Sequence, residues 1–169
     1  MSIEENFVTT ENILNILSKN NFYSTDLLSI DIDGIDYWII DKLEKNYSKI
    51  IILEYNSVFG NSIEVTVPNI KNFNRTRYHF SNLCYGMSLK AAIHLMDKKN
   101  YYFLGTNNLK NNAFFISKNF PKSEFFPRLE IENINEATNS FLTESRDKDG
   151  KLNFIKSKNK IKEILECEA

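Results

Sequence analysis

The sequence predicts an α/β protein, and three observations support this. Residues 27–32 read as a buried strand that runs into a tight turn, and the apolar run at 49–54 shows no alternation, which is typical of strands covered on both faces. A stretch with helical spacing at residues 36–46 lies between them and completes a strand–helix–strand unit. Two more strands, at 101–105 and 113–117, flank a polar loop that indicates an antiparallel hairpin. We therefore expect a small mixed sheet whose first two strands are parallel and adjacent, with the last strand between the second and the third.

The helices and the long connection follow from local signals. Thr9 stands at an N-cap position and predicts a first helix that ends near residues 19–21. Residues 55–82 form a long polar connection with little periodicity, and loops of this length are usually functional. Ser88 predicts the start of a further helix that reaches about Lys99.

The hydrophobic pattern weakens after the predicted hairpin, which suggests a division of the chain. We expect a domain over residues 1–120 and a C-terminal helical tail over 121–169. Within the tail, the pattern predicts a helix around 133–145, a turn at 147–150, a short apolar piece at 152–155 and a final helix after Lys158.

Composition excludes several function classes. The chain of 169 residues carries 21 basic and 22 acidic residues, and this net charge of −1 predicts no nucleic-acid partner. Apolar runs stay well below the ~20 residues that span a bilayer, so no membrane association is expected. Two cysteines, Cys84 and Cys167, form neither a disulfide framework nor a cysteine zinc site. The prediction is a soluble, cytoplasmic protein.

Acidic side chains follow both predicted parallel strands. Asp31 and Asp33 lie two residues apart and share a face, as do Glu54 and Asn56 at the end of the second strand. Open α/β sheets bind ligands just beyond the carboxyl ends of their strands. We therefore expect these four residues to converge at one rim. They are the candidate catalytic residues, acting either as a general base or as oxygen ligands of a divalent metal ion.

Other polar and aromatic positions have both a structural and a functional interpretation. Asp36 stands where a helix cap belongs, and Tyr37 occupies a helical position typical of the core. His79 lies in the long connection after Arg75 and Arg77, where it could face a substrate. The residues alone leave both interpretations open at these positions.

The chain also carries a series of short motifs in a fixed order. They are SIDIDG at 29–34 with DYW at 36–38, LEYNSVFG at 53–60, TVP at 66–68, YGMSL at 85–89, NNAFF at 111–115 and SRD at 145–147. In this order the motifs resemble FkbM-type S-adenosylmethionine-dependent methyltransferases. The resemblance covers most of residues 7–155, and the ordered set is more specific than any single motif.

The resemblance implies a class I, Rossmann-like methyltransferase fold of which this chain forms a part. Residues 27–33 would be its fourth strand, 49–53 its fifth, and the hairpin its sixth and seventh. It further implies S-adenosylmethionine as cofactor and O-methylation of a hydroxyl on a small-molecule or glycan acceptor, such as a sugar or a secondary metabolite. The implied substrate-binding residues are Asp36, Tyr37, Ser57, His79, Tyr85 and Asn112.

The chain departs from this family in its first half. No counterpart is found for the first strand, its glycine-rich loop or the acidic residue after the second strand, and no two of the five glycines form a GxG motif. Since those parts hold most of the cofactor, we expect weak cofactor binding by this chain alone. We also expect an unpaired edge on the strand at 27–32, and hence self-association or a partner chain.

Two alternatives stay open. A half-domain of this kind is also suited to a non-catalytic role, as an assembly subunit or a decayed remnant. The Asp-x-Asp-Gly sequence after an apolar strand also resembles the haloacid-dehalogenase-like phosphatases, in which Asp31 would attack phosphorus and Asp33 would act as acid and base. Ile35 stands where that family has threonine, which weakens this second alternative.

Overall fold

A computed structural model describes residues 3–134 and 142–156 as a mixed α/β structure. Its described strands form a mixed four-stranded sheet and a separate two-stranded hairpin. The helices are Ile13–Lys19 (α1), Asp36–Lys42 (α2), Arg75–Tyr78 (α3) and Leu89–Lys98 (α4). The strands are Thr25–Ile30 (β1), Ser48–Glu54 (β2), Tyr101–Thr106 (β3), Asn112–Ser117 (β4), Leu142–Arg146 (β5) and Leu152–Lys156 (β6). In the described part of the chain, no helix combines the length and apolar character needed to cross a membrane.

The four-stranded sheet has the order β1-β2-β4-β3. β1 and β2 run parallel, with Ile30 opposite Leu53, and β4 pairs antiparallel with both β2 and β3. This confirms the predicted adjacency of the first two strands and the insertion of the last strand between the second and third. The carboxyl ends of β1 and β2 therefore meet at one edge of the sheet.

One face of this sheet carries the hydrophobic core. Residues paired across neighbouring strands share a face, so Leu53 and Phe115 lie on the side that α4 covers, together with Leu89 and Met96. All four side chains are fully buried. Burial of each side chain stabilises the fold by roughly 2 kcal/mol, and it holds β2 and β4 in place against α4. Ser88 caps α4 as predicted, since its hydroxyl accepts a hydrogen bond from the backbone N–H of Ala91 at 3.2 Å.

The first two helices are shorter than predicted. α1 begins at Ile13, because the Thr9 side chain caps a preceding turn through the backbone N–H groups of Glu11 and Asn12. α2 ends at Lys42 rather than near residue 46, because the next residue, Leu43, has an extended backbone. Asn46 then adopts a left-handed conformation with φ of 56° and leads into β2.

The tail differs from its prediction. The helix predicted around 133–145 is wrong at 142–145, because these residues belong to β5, which pairs antiparallel with β6. The predicted turn at 147–150 is confirmed, and the Asp147 carboxylate holds it by accepting hydrogen bonds from the backbone N–H groups of Asp149 and Lys151. Residues 135–141 and the helix predicted after Lys158 lie outside the described residues.

The second face of the sheet is open around β1 and β2. Leu27 is 55% exposed, Ser29 is exposed, and their register partners Ile50 and Ile52 are half-buried. Among the described residues no strand pairs with the outer edge of β1, so its backbone N–H and C=O groups face outward. An apolar strand with a free edge favours pairing with another chain.

We expect the purified protein to self-associate through β1, and Leu27→Lys to weaken this association by about tenfold or more, because an edge lysine opposes pairing. Sedimentation velocity over a range of protein concentrations measures the effect. Leu109→Lys is the matched control, since Leu109 is 81% exposed in the loop between β3 and β4. A wild-type protein that sediments as a monomer throughout would contradict the expectation.

Candidate functional site

Polar side chains lie in a row where β1 and β2 end and β4 begins. Ile30 and Leu53 are the last paired residues of β1 and β2, and one residue further along the register Asp31 stands beside Glu54. Across the next strand Glu54 is paired with Asn112. Because paired residues share a face, the three side chains lie next to one another on the face of the sheet opposite α4. Asp33, Arg75 and Tyr85 lie close to Asp31 and Glu54. We call these five residues the acidic rim.

A tight turn follows β1 and places Asp33. β1 ends at Ile30, earlier than predicted, and Asp33 adopts a left-handed conformation with φ of 54°. Gly34 is required for space, because a Cβ there would lie 2.8 Å from the Phe73 ring. The Asp36 carboxylate accepts hydrogen bonds from the backbone N–H groups of residues 32 and 34, both at 3.0 Å. Asp36 therefore holds the turn together.

The structure gives Asp36 a structural role, and its predicted role in substrate binding stays a prediction. Its side chain is fully buried, and burial raises its pKa while the backbone hydrogen bonds act in the opposite direction. Both carboxylate oxygens are used within the turn. Asp36 thus fixes the position of Asp31 and Asp33.

Arg75 is a member of the rim that the sequence did not identify. Its guanidinium pairs with the Asp33 carboxylate and lies over the Tyr85 ring, 4.2 Å from the centroid. The short helix α3 presents it, and the Asn74 side chain caps that helix by accepting hydrogen bonds from its first backbone N–H groups. Arg75 is 42 residues from Asp33 in sequence, so no local pattern indicates the pair.

Glu54 is the most perturbed carboxyl group of the rim. It is only 9% exposed, and its Oε2 atom has no hydrogen-bond partner among the described residues. Burial raises the pKa of Glu54 to about 8; the charges of Asp31, Asp36 and Asp33 add to the rise, and Arg75 opposes it. The side chain is therefore mostly protonated at neutral pH and ionises just above it.

Tyr85 lies close enough to Glu54 for the two groups to influence each other. Burial raises the pKa of Tyr85 to about 12, and the nearby Glu54 carboxylate adds to the rise. The phenol consequently keeps its proton throughout the neutral range. It can donate a hydrogen bond to a ligand that enters the rim.

Asn56, which the sequence predicted as catalytic, uses its side chain to hold a loop. The side chain is fully buried, and its Nδ2 donates hydrogen bonds to the backbone carbonyls of Leu83 at 2.7 Å and Tyr85 at 3.1 Å. Its Oδ1 accepts a hydrogen bond from the Val58 backbone N–H at 3.1 Å. Asn56 therefore fastens the loop that carries Tyr85 to the end of β2.

The His79 side chain also makes its contacts within the loop that leads to Tyr85. It is 8% exposed, and its Nδ1 lies 2.6 Å from the Ser81 hydroxyl and accepts the Ser81 backbone N–H. The same hydroxyl accepts a hydrogen bond from the Leu83 backbone N–H. These contacts give His79 a structural role in the segment that leads to Tyr85.

Tyr37 lies on α2 and Ser57 follows the end of β2. Tyr37 packs edge-on against Trp38 with ring centroids 5.2 Å apart, and burial raises its pKa, with smaller contributions from the charges of Asp41 and Glu64. Ser57 is half-buried at the start of a short 3₁₀ turn. Of the six predicted substrate-binding residues, Tyr85, Asn112 and Asp36 lie near Glu54.

Two cavities among the described residues lie near opposite ends of β1. A cavity of about 220 Å³ lies beside the turn after β1, below the roughly 300–1,000 Å³ of small-molecule sites. A larger cavity of about 440 Å³ opens at the opposite end of the sheet, near the starts of β1 and β2. The sequence has no glycine-rich loop, so the described residues lack the main contacts by which this fold holds S-adenosylmethionine, the cofactor that the resemblance implies.

The arrangement of the rim carboxyl groups is better suited to proton transfer than to metal binding. In residues 3–134 and 142–156, no group of three or more His, Cys, Asp or Glu side chains has an arrangement suited to a metal ion. Asp31, Asp33 and Glu54 do come together, whereas Asn56 is used elsewhere. The chemical roles of the rim residues stay predictions. Comparison with known proteins adds nothing to them: no family model, no curated protein and no solved structure matches this chain.

Proposed function

We propose that this chain supplies the acceptor-binding part of an S-adenosylmethionine-dependent O-methyltransferase, in which Glu54 accepts the proton of the acceptor hydroxyl. The observation that carries the proposal is the buried Glu54 carboxyl, whose Oε2 is unpartnered among the described residues, at the carboxyl edge of two parallel strands. That edge is the usual ligand position of open α/β sheets. The ordered motifs and the strand order favour a partial Rossmann-like methyltransferase domain.

Each rim residue has a distinct part in this chemistry. With its pKa at about 8, Glu54 is close to the pH at which a general base is most effective. In its ionised form it accepts a hydrogen bond from the acceptor hydroxyl and then the proton. Tyr85 keeps its own proton and donates a hydrogen bond to the acceptor. Arg75 holds Asp33 and the Tyr85 ring in place.

The methyl donor is held elsewhere in this proposal. S-adenosylmethionine, when bound, supplies the electrophilic methyl group, and in this proposal residues other than those described hold most of it, since the chain has no glycine-rich loop. The acceptor is a small molecule or a glycan with a free hydroxyl, as the motif series implies. A partner chain or a second copy of this chain, paired with the open edge of β1, would hold the methyl donor. We place the reaction in the cytoplasm.

Transfer of labelled methyl groups to a panel of monosaccharides tests the proposal. Supplying the donor at millimolar concentration compensates for the weak binding that we expect, with a dissociation constant on the order of 1 mM or weaker by equilibrium dialysis. We expect slow transfer by the wild type and a loss of roughly 10²-fold or more in Glu54→Gln, because the amide cannot accept the proton. Glu44→Gln is the matched control, since Glu44 is exposed on the surface.

The pH dependence of transfer separates a base from a merely structural carboxyl. Glu54 acts as a base only when ionised, so the rate should rise about tenfold per pH unit below its pKa of about 8 and level off above it. A flat profile would contradict the assignment of Glu54 as the base. Absence of transfer to any acceptor would overturn the catalytic proposal and favour a non-catalytic subunit.

A further inference from the structure

We propose that the acceptor carries an ammonium group next to its reacting hydroxyl, as a 2-amino sugar does. Asp31 would bind the ammonium, while Glu54 would bind the neighbouring hydroxyl. This inference rests on the proposed function only in assigning the hydroxyl to Glu54. The binding of the ammonium is a separate claim about Asp31.

The first argument is the state of the two aspartates. Asp33 is already neutralised by its ion pair with Arg75. For Asp31, which is exposed, the described residues provide neither an ion pair nor a hydrogen bond. The rim therefore keeps an excess of negative charge, which attracts a cation to the position of Asp31.

The second argument is the unpartnered atom of Glu54. Buried polar atoms in folded proteins almost always have a hydrogen-bond partner, and exceptions require an explanation. Glu54 is nine-tenths buried, yet its Oε2 has no partner among the described residues. A ligand that donates a hydrogen bond at this point would provide one. The surplus charge and the unpartnered oxygen thus point to the same place independently.

The third argument is spacing. Neighbouring strands lie about 4.8 Å apart, and Asp31 and Glu54 each directly follow the last register pair, Ile30 and Leu53, so they can contact neighbouring substituents of one sugar ring. The Tyr85 ring does not compete for the ammonium, because the Arg75 guanidinium already lies over it. Asp31 is consequently the anion of the rim best placed to receive the cation.

The test compares three sugars that share the same ring and differ at one substituent. D-Glucosamine carries the ammonium, D-glucose a hydroxyl, and N-acetyl-D-glucosamine a neutral amide at that position. Titrations of the full-length protein at about pH 6.5, below the pKa range of typical amines, are followed by backbone amide shifts in NMR spectra. We expect shifts at Asp31 and Glu54, and glucosamine binding about tenfold tighter than that of the two neutral sugars.

The matched variants assign the cation to its partner. Asp31→Asn should lower glucosamine affinity by about tenfold and leave glucose unaffected, whereas Asp149→Asn, at an exposed position in the β5–β6 turn, should change neither. Equal binding of the three sugars, or no binding of glucosamine, would overturn the inference. Preferential glucosamine binding with unimpaired methyl transfer by Glu54→Gln would instead overturn the proposed base and leave the cation site standing.

Discussion

Replacing Glu54 with glutamine should make the protein more stable at about pH 9 and leave its stability at about pH 5 nearly unchanged. Glu54 binds its proton more tightly in the folded protein, where its pKa is about 8, than in the unfolded chain, where it is near the ordinary 4.5. Between these two values the unfolded chain releases the proton and the folded protein keeps it. Stability therefore falls as pH rises through this window.

The size of this effect follows from the separation of the two pKa values. Their difference corresponds to at most about 5 kcal/mol of unfolding free energy, which the wild type has lost above about pH 8. Glutamine has no proton to lose, so the variant lacks this pH-dependent term. Its amide donor also needs a partner, which reduces the gain by about 1 kcal/mol.

Urea denaturation of both proteins at several pH values measures the difference. The difference between the two unfolding free energies should grow steadily from about pH 5 to about pH 8 and then remain constant. Glu44→Gln serves again as the control, because its carboxylate is exposed. Parallel stability curves for wild type and Glu54→Gln would contradict a raised pKa at this position.

The second large effect is expected at Asn56. Asn56→Asp should destabilise the protein by about 3–5 kcal/mol, because an ionised carboxylate cannot donate to the carbonyls of Leu83 and Tyr85 and would be buried facing them. The shape of the side chain is unchanged, so the loss reports hydrogen bonding and charge. Thermal and urea unfolding measure it.

Asn108→Asp is the control for this substitution. Asn108 is exposed in the loop between β3 and β4, where an added charge should change stability by less than about 0.5 kcal/mol. A loss of less than about 1 kcal/mol in Asn56→Asp would mean that Asn56 does not fasten the Tyr85 loop as described. In that case its predicted place in the site would need to be reconsidered.

The sheet could be predicted from the sequence because its strands are continuous apolar runs. β2, β3 and β4 match their predicted ranges to within about one residue. β5 was missed, and β6 was predicted only as a short apolar piece after the Asp-Lys-Asp-Gly turn, because no strong apolar run marks either strand. Hydrophobicity alone thus indicates the core strands and fails for an exposed hairpin.

The candidate site was only partly predictable for a different reason. The convergence of Asp31 and Glu54 follows from strand register, which the alternation of elements implies. The use of Asn56 in the loop depends on carbonyls 27 and 29 residues further along the chain, and the place of Arg75 depends on an equally remote partner. Side chains with several possible hydrogen-bond partners are assigned by tertiary contacts that no local pattern encodes.

The free edge of β1 has a consequence for the motions of the rim. β2 is hydrogen-bonded on both sides, whereas among the described strands β1 has a neighbour on one side alone. Edge strands open at lower free energy than central ones, so the amides of β1 should exchange with solvent faster than those of β2. Asp31 is therefore attached to the more labile strand and Glu54 to the more rigid one. The rim therefore joins a strand that opens easily, β1, to a strand that does not, β2. A ligand that contacts both Asp31 and Glu54 would slow the opening of β1.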